Sequence, residues 1–392
     1  MSVTPAEQAV LDRIDEDLLV RVTGDLLRAR GQNPPGEEAA TVEVLAAAGR
    51  ELGLEVLRTE VEPDRDNLSI TVASGNGPGL LLLGHTDVVP VGDGWTTDPF
   101  GGEVRDGRIY GRGASDMKGG LAAALTAIAA LRESKLTGPV ELAAVVDEEE
   151  TGKGIRAYVG ARQRPFLGCI TAEPTDLQTI IAARGDSYLR VAVHGRSCHA
   201  GNPDDGANAI YGAAAVVAEI EHLHASLAAE PHPLLGPATW SVGQINGGTG
   251  GSIVPAHCTL VADRRLLPAE SPAAVLDDLR HRVAALKLED RGLTVELDMP
   301  MEMPAFETPA DAQLVRSTES ARRAAGGRDL PLGGWTAACD GGYIARDLGI
   351  PVVVLGPGSV TTQAHRPDES VPLHELLTAA RAYTLTALRL LG

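Results

Sequence analysis

The sequence predicts an α/β protein with a mixed, mostly parallel sheet flanked by helices. An inserted α+β unit of ferredoxin-like plan interrupts it. Three observations carry this expectation. Short apolar runs bounded by turn residues alternate with helix-period segments, the rhythm of a largely parallel sheet covered on both faces. Near residue 184 that rhythm changes to the order β-α-β-β-α-β. The 392 residues also exceed what one core ordinarily serves and suit two domains. The expected division is 1–182 and 303–392 for the two parts of one domain, with 183–302 as the insert.

Each element follows from local pattern. "TPAEQAVLDRIDEDLLVRVTGDLLRAR" reads as one helix, with Thr4 as N-cap, Pro5 at its first position and Gln8 nearby. "GEEAATVEVLAAAGRELG" is a second helix, closed by Gly53. "NLSITVAS" and "GLLLLGHTD" are strands separated by turn residues, and "DMKGGLAAALTAIAALRES" is an alanine-rich helix. "PVELAAVVDEEE" is a buried strand ending in acid, and "GCITAEPTD" is another. In the insert, "SYLRVAVHG" alternates as a half-exposed strand, and a long helix runs from about Ala207 to Ala228. Then come the strands "ATWSVGQING" and "HCTLVADRRLL", a helix near Ser271 to Leu286 and the strand "LTVELDMP". The α/β pattern resumes with "IPVVVLGPG" and a C-terminal helix.

Composition narrows the function. The chain is 44% hydrophobic and 22% charged, ordinary for a soluble globular protein. Aromatic residues make up only 3%, which argues against base-stacking surfaces. A formal charge of −19 disfavours nucleic acid and anionic membrane as partners. Cys169, Cys198, Cys258 and Cys339 are widely separated and form no CxxC pair, so reduced thiols in a cytoplasmic protein are expected rather than a thiolate zinc knot. The N-terminus is acidic and amphipathic, unlike a signal peptide, and no uninterrupted apolar run is long enough to predict a membrane span.

Ligands of open α/β sheets collect beyond the carboxyl ends of the strands. Four such ends here carry imidazole or carboxylate: His85 and Asp87; the run Asp147 to Glu150; Glu173; and His365 after "VVVLGPG". Asp116 stands at the start of the alanine-rich helix. An Asp before a helix is ordinarily an N-cap, and a run of acids is ordinarily a solvated face. "VVDEEE" instead follows directly on a buried strand, where solvation gives a charge run no reason to begin. Imidazole with carboxylate and no thiolate suits zinc, with cobalt and manganese as rivals. Two histidines and three acids suffice for two ions, leaving one acid for catalysis.

The series "GHTDVVP", "GRGASDMKGG", "DEEETGKG", "AEPTD" and "AHRPDE" resembles the motifs of the acetylornithine deacetylase / succinyl-diaminopimelate desuccinylase / carboxypeptidase G family of two-metal amidohydrolases and peptidases. Order and spacing match over essentially the whole chain. The resemblance implies a zinc-exopeptidase-like catalytic domain, with the insert as lid and dimerisation domain. By position it implies His85 and Glu173 as ligands of one metal, Glu149 and His365 of the other, and Asp116 as the bridge. Asp87 would orient His85, and Glu148 would be the general base. A register one residue on would give the last acid roles to Glu149 and Glu150; the ungapped match selects Glu148. The implied reaction is hydrolysis of an N-acyl amino acid's amide bond by a metal-bridging hydroxide, with Glu148 acting as base and then acid.

"GRSCHAGNPDDGANAI" resembles the family's segment that sends a histidine into a partner's active site, which implies an oxyanion role for His199 in a homodimer. "ADRRLLP" supplies Arg265, whose guanidinium suits a substrate carboxylate. "INGGTGGSIVP" carries Ser252 where the family usually has Asn. Gly356 and Gly358 in "GPGS" would let backbone approach substrate. No GxxxxGK[ST], GxSxG or HExxH occurs, so phosphate-loop, serine-hydrolase and zincin chemistry lack support. Two alternatives stand beside the deacylase expectation: a dipeptidase or carboxypeptidase of the same family, and a non-catalytic binding protein on the same fold.

Overall fold

The structure, a computed structural model, describes residues 2–161 and 164–392. They cluster into two compact units: 1–181 with 307–334 and 339–392, and 182–306 with 335–338.

The first unit opens on helix α1 (Pro5–Leu11), capped by Thr4 in a reciprocal box with Glu7 rather than through Gln8. The single N-terminal helix expected from the sequence is in fact two. The Asp15 carboxylate accepts the Leu18 N–H at 2.9 Å, which caps a new helix, α2 (Glu16–Arg28), and breaks the old one. Helix α3 (Ala39–Glu51) starts later than its sequence pattern suggests, because Glu38 is turned inward and fully buried against Arg65. Strand β1 (Glu55–Glu62) escaped the sequence reading: it is a charged, largely exposed edge with little apolar alternation. Strands β2 (Arg65–Val72), β3 (Gly79–His85), β4 (Glu103–Arg105) and β5 (Arg108–Tyr110) follow. Then come α4 (Gly119–Ala130), β6 (Val140–Val145), α5 (Lys153–Gly160), β7 (Phe166–Thr171) and β8 (Ile180–Ala183).

The second unit is strand β9 (Gly185–His194), helix α6 (Ala209–Leu227), strands β10 (Thr239–Gly247) and β11 (His257–Leu266), helix α7 (Pro272–Ala285) and strand β12 (Thr294–Met303). Its sheet runs β10-β11-β9-β12, antiparallel throughout, which is the ferredoxin-like order. Leu189, Val191, Val193, Leu260 and Leu279 form its core with Val216 and Ile220. The opposite sheet face presents Tyr188, Arg190 and Asp263.

The chain returns through β13 (Phe306–Glu307), α8 (Gln313–Ala324), β14 (Gly333–Trp335), the short α9 (Gly341–Tyr343), β15 (Val352–Val354), β16 (Ser370–Pro372) and α10 (Leu373–Leu391). The large sheet is ordered β1-β2-β6-β3-β7-β15-β8-β13, with β14 paired to β8. Neighbours among β6, β3, β7 and β15 are parallel, while β1-β2, β2-β6 and β15-β8 are antiparallel. This is the mostly parallel α/β sheet that the sequence predicts. Parallel strands in mid-sheet are covered on both faces, which is why "GLLLLGH" is buried at every position. The same arrangement brings the carboxyl ends of β3, β6, β7 and β15 to one rim.

Candidate metal centre

That rim carries the candidate residues. His85 ends β3 and is buried at 1% exposure. Its Nδ1 donates to the backbone carbonyl of Asp87 at 2.9 Å, with the Asp87 carboxylate next at 3.4 Å. The other ring nitrogen, Nε2, is thereby turned towards Asp116 Oδ1 at 3.3 Å and Glu173 Oε1 at 3.6 Å. The second oxygen of Asp116 lies 3.4 Å from His365 Nε2, and that nitrogen lies 3.3 Å from Glu149 Oε2. The five side chains thus form one sequence, Glu173–His85–Asp116–His365–Glu149, with Asp116 in the middle. Single donor atoms of His85, Asp116 and Glu149 all fall within 4.8 Å of one another.

These residues fit two divalent ions. The donors are imidazole nitrogens and carboxylate oxygens without thiolate, a set that zinc and its neighbours accept. Glu149 Oε1 is buried with no partner, a lone pair left free for a cation. Burial, reinforced by neighbouring carboxylates, pushes the Glu173 and Glu148 acids well above the usual range and raises Glu149. Hydrogen bonds to Asp116 and Glu149 hold His365 up at about 10. Burial works against a charged His85, yet Glu173, Asp116 and Asp87 outweigh it and raise its pKa. The crowded acids and imidazoles of this pocket therefore hold on to protons, and bound cations could take the place of those protons.

The backbone around these groups is held by a wider set of buried side chains, some of which the sequence patterns did not single out. Asp116 sits in a π-type turn, Ala114–Lys118, leading into α4. Glu369 accepts the N–H groups of Gly113, Ser115 and Asp116 at 3.1, 2.9 and 3.0 Å. It also pairs with Arg112 at 2.6 Å, tying the Asp116 turn to the His365 segment. Lys118, fully buried, donates to the Leu26 and Arg30 carbonyls. Asp87 accepts the Glu148 and Glu149 N–H groups at 3.2 and 3.1 Å. Asp147 adopts φ 67°, a left-handed turn that Asp tolerates, and starts the bend bearing both glutamates. Glu148 and Glu149 are half-buried and Glu150 is exposed. Asp340 is 2% exposed with both carboxylate oxygens unpartnered; burial pushes it up to about 8. Asp87 and Asp147 were singled out from the sequence, and Arg112, Lys118 and Glu369 lie inside the quoted motifs "GRGASDMKGG" and "AHRPDE", whereas Asp340 had no such signal.

Gly356 and Gly358 lie among the same segments. A Cβ on Gly356 would strike the carbonyls of Ala172 and Glu173, and one on Gly358, at φ +84°, would strike Ser115. Both glycines therefore allow ligand-bearing segments to pack closely. His199 and Arg265 belong to the second unit. His199 is exposed, with Nδ1 accepting the Gly201 N–H at 3.0 Å. Arg265 pairs with Asp263 at 2.9 Å and Asp186 at 3.4 Å. Burial, together with Asp263, pushes Asp186 up to about 7 despite Arg265.

The model of peptidase family M20/M25/M40 matches residues 81–389. Acetylornithine deacetylase of Photorhabdus laumondii is 33% identical over 347 residues, 85% of either chain. The enzyme of the same name from Salmonella arizonae is 33% identical over 359 residues, 87% of this chain and 89% of that one. Among solved structures, an M20 family metallo-carboxypeptidase from Sulfolobus solfataricus superposes with a TM-score of 0.77 at 19% identity, covering 95% of this chain and 99% of that one. A dinuclear metal binding M20 peptidase from Bacillus subtilis gives 0.74 at 16% identity, covering 96% and 98%.

Proposed function

The chain belongs to peptidase family M20/M25/M40, and on that premise we propose that this metallo-hydrolase removes an acyl group from an N-acyl amino acid. The run of alternating carboxylate and imidazole centred on Asp116 carries the reading. The 33% identity to acetylornithine deacetylases favours an acetyl-type or succinyl-type substrate over a peptide.

In this reading His85 and Glu173 would hold one ion and Glu149 and His365 the other, with Asp116 the ligand they would share. Zinc would suit these donors, with cobalt or manganese as substitutes. When bound they supply Lewis-acid chemistry, making water a better nucleophile near neutral pH and polarising the amide carbonyl. Asp87 keeps His85 turned with Nε2 outward. Glu148 takes the proton from the attacking water and delivers it to the leaving amine. Arg265 receives the substrate carboxylate, Gly356 and Gly358 offer it backbone, and His199 donates to the carbonyl oxygen from a second copy in a homodimer. Exposed Tyr211, Ile245 and Ile253 on the second unit support such pairing. No helix among the described residues is long and apolar enough to cross a membrane, which accords with a cytoplasmic enzyme acting on a small molecule.

The alternative reading, a dipeptidase or carboxypeptidase, draws on the Sulfolobus metallo-carboxypeptidase's likeness in fold. A panel of acetyl-, succinyl- and aminoacyl-amino acids, assayed after chelation and again with added zinc or cobalt, separates them. Metal-restored cleavage of acetyl or succinyl compounds is expected. Cleavage confined to aminoacyl compounds selects the peptidase, and full activity in verified metal-free protein overturns the mechanism.

A further inference from the structure

We infer that Asn33 is a positioning residue that couples the two arms of the metal centre. It lies between α2 and α3, 3% exposed, far in sequence from every ligand. Its backbone N–H donates to the Val88 carbonyl at 2.9 Å, and the neighbouring Gln32 side chain accepts the Val91 N–H at 2.8 Å. These bonds dock the segment against the exit of β3. There the two hydrogens of one amide nitrogen serve two carboxylates: Asn33 Nδ2 donates to Asp87 Oδ2 at 2.9 Å and to Asp147 Oδ1 at 3.0 Å.

Each of those acids belongs to a different arm. Asp87 sits two residues beyond His85 and holds its ring. Asp147 opens the bend that carries Glu148 and Glu149. Asp147 also accepts from Arg65 Nη2 at 2.9 Å, from the Thr151 hydroxyl and from the Lys153 N–H at 3.3 Å. Arg65 is gripped by the fully buried Glu38, with Nε to Oε2 at 2.9 Å. Gly36, at φ +99°, lets backbone lie against this guanidinium, since a Cβ there would come within 2.7 Å of it. The result is a buried brace, Glu38–Arg65–Asp147–Asn33–Asp87–His85. Two buried carboxylates repel unless a donor stands between them. A neutral amide with two hydrogens on one nitrogen meets that need without adding charge. The Glu148 and Glu149 N–H groups already reach Asp87 directly, and the Asn33 amide adds the link from Asp87 to Asp147 that completes the spacing of the two arms.

The inference rests on the reading that His85 and Glu149 bind ions and Glu148 is the base. Outer partners of metal ligands typically affect affinity or activity by about 10–100-fold. Full-length Asn33→Ala protein is compared with wild type in four ways: melting of the metal-free form, zinc affinity against a chromogenic chelator, the visible spectrum of the cobalt-loaded form, and kcat separately from KM. The expected result is zinc affinity weakened by about 10-fold or more at one site. The cobalt spectrum should be altered, and kcat should fall by about 10–100-fold while KM changes little. Arg65→Lys keeps the charge but not the fork, so it should move the same spectrum in the same direction by less. Should Asn33→Ala not fold, that variant carries the test alone. If zinc affinity, spectrum and kcat stay at wild type while only the melting temperature falls, Asn33 merely holds a loop and the inference is overturned. A wild-type protein that takes up no zinc or cobalt refutes the metal reading itself, and the inference with it.

Discussion

Replacing Glu369 by alanine tests how the bridging position is held. The carboxylate is fully buried and accepts four hydrogen bonds, from Arg112 and from the backbone of Gly113, Ser115 and Asp116. Arg112 is itself only 3% exposed, and beyond Glu369 its guanidinium has the Arg366 carbonyl at 3.4 Å and the face of the Trp95 ring, neither of which carries a charge to offset its own. Stranding one member of a buried ion pair costs about 3–5 kcal/mol. Each buried N–H left unpaired adds about 1–3 kcal/mol. Water entering the vacated space recovers part of this, so a net loss of about 4–6 kcal/mol is expected, a large share of the roughly 5–15 kcal/mol that a folded domain possesses. Urea unfolding of the metal-free protein at pH 8 measures it. That pH lies above the value of about 7 to which burial, with Asp116 adding, pushes Glu369 against the pull of Arg112. Glu369→Gln keeps the shape and one acceptor oxygen and should lose roughly half as much. An alanine variant within about 1 kcal/mol of wild type would refute the reasoning, because the four bonds would then be replaceable by solvent.

Three further outcomes are expected. Glu148→Gln should retain both metals while turnover falls by about 10²–10⁴-fold, whereas Glu149→Gln should lose metal affinity; the reverse pattern, read by metal analysis and rate, would shift the register of "DEEE" by one. Asp186, pushed up to about 7 chiefly by burial, binds a proton in the folded protein that the unfolded chain releases near pH 4. Its contribution is thus fully present below the unfolded value and lost as pH rises through about 7. Stability of the second unit should fall over that window in wild type and less so in Asp186→Asn, so parallel melting curves from pH 5 to 8 would contradict this. Finally, inactive Glu148→Gln and His199→Ala chains, mixed under verified subunit exchange, should recover activity if one site draws on both chains. No recovery would confine His199 to its own chain or remove it from the reaction.

Local chemistry made much of this protein readable. The run "GLLLLG" could only be a strand covered on both faces, and an acid series directly after "VELAAVV" had no solvation reason to start there. The alternation in "SYLRVAVHG" and "HCTLVADRRLL" marked the second sheet, with one face packed and one open. Where patterns misled, a side chain had a distant appointment. Glu38 reads as the first turn of a helix, but its carboxylate is taken by Arg65 27 residues on. Asp15 interrupts an otherwise continuous helical pattern because its own oxygen caps the next one.

The sequence by itself determined the buried central strands β2, β3, β6, β7 and β15 with helices α4 and α10, the insertion of a second sheet, and the residue types poised at the strand ends. Those are properties of short windows, where periodicity and turn chemistry act between neighbours. The motif resemblance implied a bridging place for Asp116, but only the tertiary structure decided that Glu369 ties the Asp116 turn down and that Asn33 and Arg65 stand behind the acids. A single Asn or Arg has no period and no local signature. Its importance comes from burial beside charges brought in from other strands, and an unpaired buried charge is costly enough that its few partners decide how the centre is built.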